Sequence, residues 1–274
     1  MDNRKRAFAE VVSIEAWHRP FDHANPTADL HADVVFGTAR VGGEAESPVR
    51  FRLRMKRAEI VIAIPESEPI SVDKQSVSRD APQLRARITN TTERLESSGI
   101  RANAQAKFSS REISGSLEAG ALAKTQLAST HKIEVSGEIG PMLITQSKTA
   151  EGDYRWTIEP SAGTYLEGRP WDGGKEPRLK LVDHRKDRSK GIPPTVRVEV
   201  RCKREDIDIS DITIKDETLL EKAKSQIGFT NKMKAAEAYI RNQLANEGLE
   251  VSNVSDIFGQ LTFASTTAEP LVVR

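Results

Sequence analysis

TVRVEVRCK, residues 195–203, alternates apolar with polar side chains and is the best-patterned stretch of the chain. Val196, Val198, Val200 and Cys202 share one parity, and the charged residues fall between them. Because successive side chains of a strand point to opposite faces, this period of two predicts a β-strand with one buried and one wet face. The stretch therefore favours a sheet protein.

The apolar residues that follow this strand change parity midway. Ile207 and Ile209 share one parity, Ile212 and Ile214 share the other, and Ser210-Asp211 lies between the two pairs. A slip of one residue reverses the buried face unless a bulge or turn absorbs it. We therefore predict a second strand that is kinked at this dipeptide and forms a hairpin with the first.

Size and composition limit the function classes. The 274 residues allow one large domain or two ordinary ones, with a sizeable core. Lysine plus arginine (41) against aspartate plus glutamate (40) gives a net charge of +1, so no overall field favours nucleic acid or an anionic membrane. The apolar fraction of 37% and the aromatic fraction of 5% are low, which indicates that part of the chain is solvated, extended or assembled with a partner.

The N-terminal sequence and the single cysteine indicate which cellular compartment to expect. Cys202 cannot form an intramolecular disulfide, and its apolar parity predicts a buried, inert thiol. The basic start resembles a signal peptide, but Glu10 and Glu15 interrupt the apolar segment that should follow, so we expect no cleavage. The longest aliphatic run, residues 60–64, is far shorter than the ~20 residues of a spanning helix. A soluble, cytoplasmic protein without a cofactor is expected.

One strand pattern before residue 81 covers residues 34–41. Three others cover residues 7–17, 49–56 and 60–64. The last is apolar on both parities, which predicts a central strand covered on both faces. A short link at 57–59 predicts that the strands at 49–56 and 60–64 form a hairpin.

The composition changes between residues 82 and 152, where alanine, serine, threonine and glycine dominate and Phe108 is the sole aromatic residue. From 102 to 108, three alanines and Phe108 alternate with polar residues, as in an extended ribbon, although helical spacing competes nearby. Hairpins that insert into membranes show such alternation. Because this apolar face is mostly alanine and lacks an aromatic girdle, a flexible or partner-ordered arm is the preferred interpretation.

Two helices in a hairpin are predicted after residue 216. Gly228 closes the first, and the second runs from about residue 230 to Gly248. The predicted apolar stripe of the second helix comprises Met233, Ala236, Ile240 and Leu244. A closing strand is predicted to contain Ile257, Leu261 and Phe263.

These patterns together predict a mainly β fold, antiparallel and sandwich-like, with a C-terminal helical hairpin, α+β overall. The predicted parts are N-terminal strands at 1–81, a variable small-residue insert or arm at 82–152, strands at 153–215 that complete the sheet, and the helical hairpin with a closing strand at 216–274.

The preferred functional hypothesis is a non-catalytic assembly or protein-binding module that contacts protein partners or copies of itself. The sequence contains no nucleotide-binding glycine loop, no zinc helix with paired histidines, no serine elbow and no paired Cys-x-x-Cys. These absences lower the prior for an enzyme without excluding one.

Two alternatives stay open. A metal-dependent hydrolase would use imidazole and carboxylate ligands from the cluster at 18–33, namely His18, Asp22, His23, His31 and Asp33. A nucleic-acid-binding protein would use the basic strand at 50–57 and the basic segment at 175–190. Its candidate residues are Arg50, Arg52, Arg54, Lys56, Arg185, Lys186, Arg188 and Lys190.

Overall fold

The computed structural model describes residues 4–22, 25–44, 47, 49–79, 85–93, 128–136, 142–187, 193–214, 225–251 and 254–271. The chain divides into two units. The first unit comprises Met1–Pro82 and Ile139–Arg274, and the second comprises Gln83–Glu138.

The described residues form mostly β-strands. The strands are β1 (Arg4–Arg6), β2 (Val12–His18), β3 (Thr27–Phe36), β4 (Ala39–Gly42), β5 (Val49–Met55), β6 (Ala58–Ala63), β7 (Ile70–Asp73), β8 (Arg85–Glu93), β9 (Ala128–Ser136), β10 (Met142–Lys148), β11 (Tyr154–Pro160), β12 (Leu179–Asp183), β13 (Arg197–Lys203), β14 (Ile207–Ile214), β15 (Gln260–Thr267) and β16 (Glu269–Pro270). Among the described residues there is one α-helix, α1 (Ser225–Asn246), between β14 and β15.

A six-stranded antiparallel sheet forms one layer of the first unit, in the order β1-β15-β13-β6-β11-β10. The stretch 195–203 supplies its strand β13, which pairs with β15 on one side and β6 on the other. Val198, Val200 and Cys202 are buried, as the alternation predicted. Ile60 and Val61 of β6 are both buried, which confirms a central strand covered on both faces.

A five-stranded sheet, in the order β16-β2-β3-β12-β7, forms the second layer, and β14-β5-β4 form a third, smaller sheet. Strand β2 contacts β13 and β15 of the six-stranded sheet. Large apolar side chains from both layers, such as Ile14, Leu30, Trp156 and Phe263, are fully buried in one core. The prediction of a mainly β, antiparallel and sandwich-like fold is therefore confirmed.

Both predicted hairpins of the first unit are wrong in their pairing. A single 3-10 turn (Arg204–Asp206) joins β13 to β14, but β13 lies in the six-stranded sheet whereas β14 pairs with β5. Strands β5 and β6 likewise lie in different sheets. Alternation specifies which face of a strand is buried, not which strand lies beside it. Each short link here carries the chain from one sheet to another.

The predicted kink in β14 is confirmed. Its register with β5 shifts between Ser210 and Thr213, and Asp211 has a φ of 51°. Ile207 and Ile209 are buried before the irregularity, and Ile212 and Ile214 are half-buried after it while Asp211 and Thr213 are exposed, so the irregularity absorbs the change of parity.

Helix α1 contacts β5 and β14. Ala236, Ile240 and Leu244 are fully buried, which confirms the predicted stripe. The helix passes through Gly228 without a break, so the predicted end at that glycine is wrong. The rest of the first predicted helix, up to residue 224, lies outside the described residues.

The C-terminal end of α1 follows the prediction. Gly248 adopts a φ of 63°, and the Leu249 amide donates to the Leu244 carbonyl at 2.9 Å, which together form a Schellman-type end. Within the described residues, no helix combines the length and the apolar content needed to cross a membrane.

Candidate functional site

The second unit contains a two-stranded antiparallel ribbon made of β8 and β9. Its register runs from the pair Arg85 and Ser136 to the pair Glu93 and Ala128, without a slip in nine consecutive pairs. Residues that pair across two antiparallel strands lie on the same face. The ribbon is therefore continuous over all nine pairs.

The register sorts the ribbon residues into two rows. Ala86 pairs with Val135 and Ile88 pairs with Ile133, so apolar residues are paired with each other at these two positions. The pair between them is Arg87 with Glu134. Apolar and charged pairs therefore alternate over residues 86–88. The continuation of the ribbon in the chain, residues 94–127, lies outside the described residues.

One end of the six-stranded sheet exposes large apolar side chains. Ile257 and Phe258, in the turn before β15, are 57% and 67% exposed, and Leu143 at the start of β10 is 37% exposed. The pairing of Lys203 with Gln260 places the start of β15 at the end of β13, and the strand pairs across the sheet place the start of β10 at the same end. This end is called the apolar end below.

The sequence prediction assigned Ile257 to the closing strand, and this is wrong. Strand β15 begins at Gln260 and buries Leu261 and Phe263, whereas Ile257 lies in an exposed turn. The available signal was the local composition: Ser255-Asp256 and Gly259 are turn formers, and they enclose two bulky apolar residues.

A polar groove crosses the same sheet. Two cavities of about 310 and 390 Å³ share Glu250 and Thr262 in their walls. Within the groove, Glu199 lies 2.7 Å from the Arg201 guanidinium and 3.6 Å from that of Arg197. Each carboxylate oxygen of Glu199 therefore faces a cation. The three side chains form a row of alternating charge.

Asp153, in the wall of the second cavity, has an altered acidity. Burial raises the pKa of its carboxyl above the usual value, Glu151 and Glu199 raise it further, and Arg201 opposes the rise. Sequence reasoning did not assign this groove, because its residues come from β13, β15 and two loops that are far apart in the chain.

The predicted histidine and aspartate cluster is spread over the second layer. Strand register pairs Trp17 with His31 and His18 with Leu30, so the two histidines lie on opposite faces of the sheet. His18 is buried beside Phe21, and its Nδ1 lies 2.7 Å from the Arg19 carbonyl oxygen.

The other members of the cluster have separate partners. The His31 ring stacks on Trp17 with centroids 5.6 Å apart, and Nδ1 lies 2.9 Å from the Gly173 carbonyl. Asp33 is paired with Arg169 at 3.0 Å, and Asp22 accepts from the Asn25 amide. His23 lies outside the described residues. Within the described ranges, no group of three or more His, Cys, Asp or Glu side chains is placed to hold a metal ion.

The first predicted basic patch carries acidic partners. Arg54 lies 2.8 Å from Asp208 and also stacks over Tyr165, and Arg52 lies 3.1 Å from Asp211. Because β14 pairs with β5, its carboxylates neutralise part of the charge that the strand would offer to a polyanion.

The remaining members of the two patches are dispersed. Arg50 is exposed on β5, and Lys56 is half-buried just after it. Arg185 is held by the buried Asp183 at 2.8 Å, and Lys186 is exposed. Arg188 and Lys190 lie outside the described residues.

Comparison with known proteins adds little to this description. No protein-family model and no curated protein matches the chain. Among solved structures, the backbone is similar to that in "Crystal structure of the Clostridium perfringens NetB toxin in the membrane inserted form", at a TM-score of 0.29 and 10% sequence identity. The match covers 76% of this chain and 88% of the toxin chain. At a TM-score this low, the similarity carries no weight for fold or function.

Proposed function

We propose that this protein self-associates on a lipid bilayer and inserts its second unit, residues 83–138, as a β-hairpin. The observation that carries the proposal is the register of β8 with β9, considered with the sequence that joins them. The proposal retains the predicted self-association and the absence of a catalytic role. It replaces the expected cytoplasmic setting with a membrane-associated one.

The joining sequence has two alternating rows that match this register. Even-numbered residues from 100 to 108 are apolar, and so are most odd-numbered residues from 113 to 127. The rows are Ile100, Ala102, Ala104, Ala106, Phe108 and Ile113, Leu117, Ala119, Ala121, Ala123, Leu127.

The register pairs even-numbered residues of β8 with odd-numbered residues of β9. In a hairpin that kept this register in the bilayer, Phe108 would face Ile113 and Ala104 would face Leu117. Both apolar rows would then share one face, and residues such as Asn103, Gln105 and Lys107 would occupy the other. One lipid-facing and one wet face are what a membrane-inserted hairpin requires.

The lengths of the rows also suit a bilayer. A tilted transmembrane strand needs about 9–11 residues. The segment 100–108 and the segment 113–123 fall in this range, and the polar sequence Ser109-Ser110-Arg111-Glu112 lies between them, where a turn would emerge. The alanine-rich face buries less apolar area per strand than a leucine-rich one, which keeps the hairpin compatible with water before insertion.

Insertion requires several copies. Every backbone polar group in the hydrocarbon region must be hydrogen-bonded within protein, and a lone hairpin leaves two unpaired edges. Neighbouring hairpins from other copies of the chain would supply the missing partners. Self-association is therefore part of the proposed mechanism and not a separate activity.

The test places a single dye on each row. Ala104→Cys and Gln105→Cys are labelled separately with an environment-sensitive dye, and Cys202 does not compete because it is buried and burial raises the pKa of its thiol. With phosphatidylcholine vesicles, the dye at 104 should shift to the blue and be quenched by lipid-borne quenchers, whereas the dye at 105 should stay in water.

Leakage of a trapped dye and the mass of detergent-extracted protein complete the test. Insertion by several copies predicts leakage together with an extracted species of several chain masses. Vesicles that stay sealed, with equal and unshifted emission at positions 104 and 105, would show that the hairpin does not insert.

A further inference from the structure

The exposed turn at the apolar end is held rigidly by backbone hydrogen bonds. The Phe258 amide donates to Asp256 Oδ1 at 3.0 Å, and the Gly259 amide donates to the Asp256 carbonyl at 2.9 Å. The Glu205 amide donates to the Ile257 carbonyl at 3.0 Å. The side chains of Ile257 and Phe258, called the apolar tip below, are therefore exposed to solvent on a hydrogen-bonded turn and not on a frayed segment.

The apolar tip and a second exposed apolar residue lie at the same end of the six-stranded sheet. The tip lies at the end of the six-stranded sheet where β10 begins, and β10 is the first strand after the hairpin unit in the chain. Leu143, the second residue of β10, is also exposed at this end. Strands β15 and β10 are four positions apart in the sheet, so the two apolar points are roughly 19 Å apart.

The charged residues around the tip leave no net positive charge. Lys203 lies 3.4 Å from Glu205, and Arg57 lies 3.2 Å from Glu159 at the same end of the sheet. Asp256 adds a negative charge within the turn. An attraction to anionic lipid is thus not built in, and a contact with a zwitterionic bilayer through apolar burial fits the surface better.

The area of the tip argues against a protein partner. Two partly exposed side chains offer on the order of 200 Å² of apolar surface, whereas a stable protein interface needs about 800 Å² on each partner. Ile257 and Phe258 form a convex pair of bulky side chains on a rigid turn. An aromatic and an aliphatic side chain can enter the lipid headgroup region without a matching pocket, so this pair has the shape of an interfacial anchor.

We infer that Ile257 and Phe258 are a docking anchor that holds the protein on a zwitterionic bilayer before its hairpin inserts. The inference rests on the proposed function, since it names the contact that brings the same protein to the membrane. It assigns binding to the first unit and leaves insertion to the second unit.

The experiment measures binding and leakage separately on the full chain. Co-sedimentation with phosphatidylcholine vesicles is compared for wild type, Ile257→Ser, Phe258→Ser and the control Leu271→Ser, which changes a similarly exposed residue (47%) at a different sheet. Each tip variant should bind about 10- to 100-fold more weakly, from the roughly 100 Å² of apolar area removed. The control should bind as wild type, and raising the salt concentration should change nothing.

The outcomes separate the two proposals. If wild type binds and both tip variants bind equally well, the docking inference is overturned while hairpin insertion stands. If wild type binds and the tip variants do not, but bound wild type neither leaks vesicles nor shifts the dye at position 104, docking is supported and the proposed function fails. If wild type does not bind these vesicles, both are overturned. Unchanged melting temperatures of the tip variants exclude loss of fold as the cause, since both residues are exposed.

Discussion

Replacing His18 with glutamine should make the stability of the protein less sensitive to acid. His18 is 1% exposed, packs against Phe21, and holds its Nδ1 2.7 Å from the Arg19 carbonyl oxygen. That carbonyl can only accept, so Nδ1 carries the proton in the neutral ring. Among the residues that the structure describes, the buried Nε2 has no hydrogen-bond partner, so a second proton there would be buried without an acceptor from them.

The sign of the effect follows from the pKa. Burial lowers the pKa of the His18 ring below its usual value of 6.5, and the bond to the Arg19 carbonyl only partly opposes this. In the unfolded chain the ring takes up a proton near pH 6.5, whereas the folded ring stays neutral until a lower pH. Stability is therefore full above this pH and is lost as the pH falls toward the folded pKa.

The change in the free energy of unfolding is limited because only one proton is involved. Between about pH 7.5 and about pH 5.5, one histidine that binds a proton only in the unfolded chain lowers the free energy of unfolding by at most about 1.4 kcal/mol. Other groups titrate at lower pH, and burial raises the pKa of Asp153 and Asp206, which acts in the opposite direction. The difference between wild type and variant isolates the histidine.

Urea unfolding followed by tryptophan fluorescence at these two pH values provides the measurement. His18→Gln is expected to abolish up to about 1.4 kcal/mol of the wild-type pH dependence, whatever its own effect on stability at neutral pH. His184→Gln is the matched control, because His184 is exposed and bonded to Ser71. An identical pH dependence in wild type and His18→Gln would refute the reasoning.

Three further perturbations test the fold. Truncating Phe263, which is fully buried, to alanine should lower the free energy of unfolding by about 3–5 kcal/mol in urea titrations, and a cost below about 1 kcal/mol would contradict its place in the core. Arg204 lies 2.7 Å from Glu237 of α1 in a half-buried pair, so a double-mutant cycle with alanine at both positions should give a coupling of about 1 kcal/mol. A coupling near zero would show that this pair does not tether the helix. Because Cys202 is buried and its thiol pKa is raised, a thiol reagent should modify it at the rate of unfolding, and fast labelling of native protein would contradict the burial.

The sequence predicted strands much better than it predicted their partners. The alternation at 195–203, the doubly apolar run at 60–64 and the change of parity near Asp211 appear in the structure as a strand with a buried apolar face, a central strand and an irregularity. Glu199, on the face predicted to be wet, is also buried. The three patterns are local features, since each depends on which faces of one strand meet water. Pairing depends on long-range contacts, and both predicted hairpins of the first unit failed for this reason.

For the candidate sites too, the sequence pattern predicted local features but not the long-range contacts. His18 and His31 are close in the sequence and share a sheet, yet the register places them on opposite faces, which alternation alone could not reveal without the strand bounds. The basic residues of β5 were predicted as one face, but the carboxylates that neutralise Arg52 and Arg54 come from a strand more than 150 positions later in the chain.

The sequence by itself determined the strand faces, the buried stripe of α1 and the two alternating rows that flank residues 109–112, because each arises from a short-range period in apolar residues. Only the tertiary structure decided which strands are neighbours, the register of β8 with β9, and the exposure of Ile257 and Phe258. The exposure of a residue depends on which other segments cover it, and the register of a strand depends on which strand pairs with it. A local pattern cannot contain them, because the groups that cover or pair each residue lie far away in the sequence.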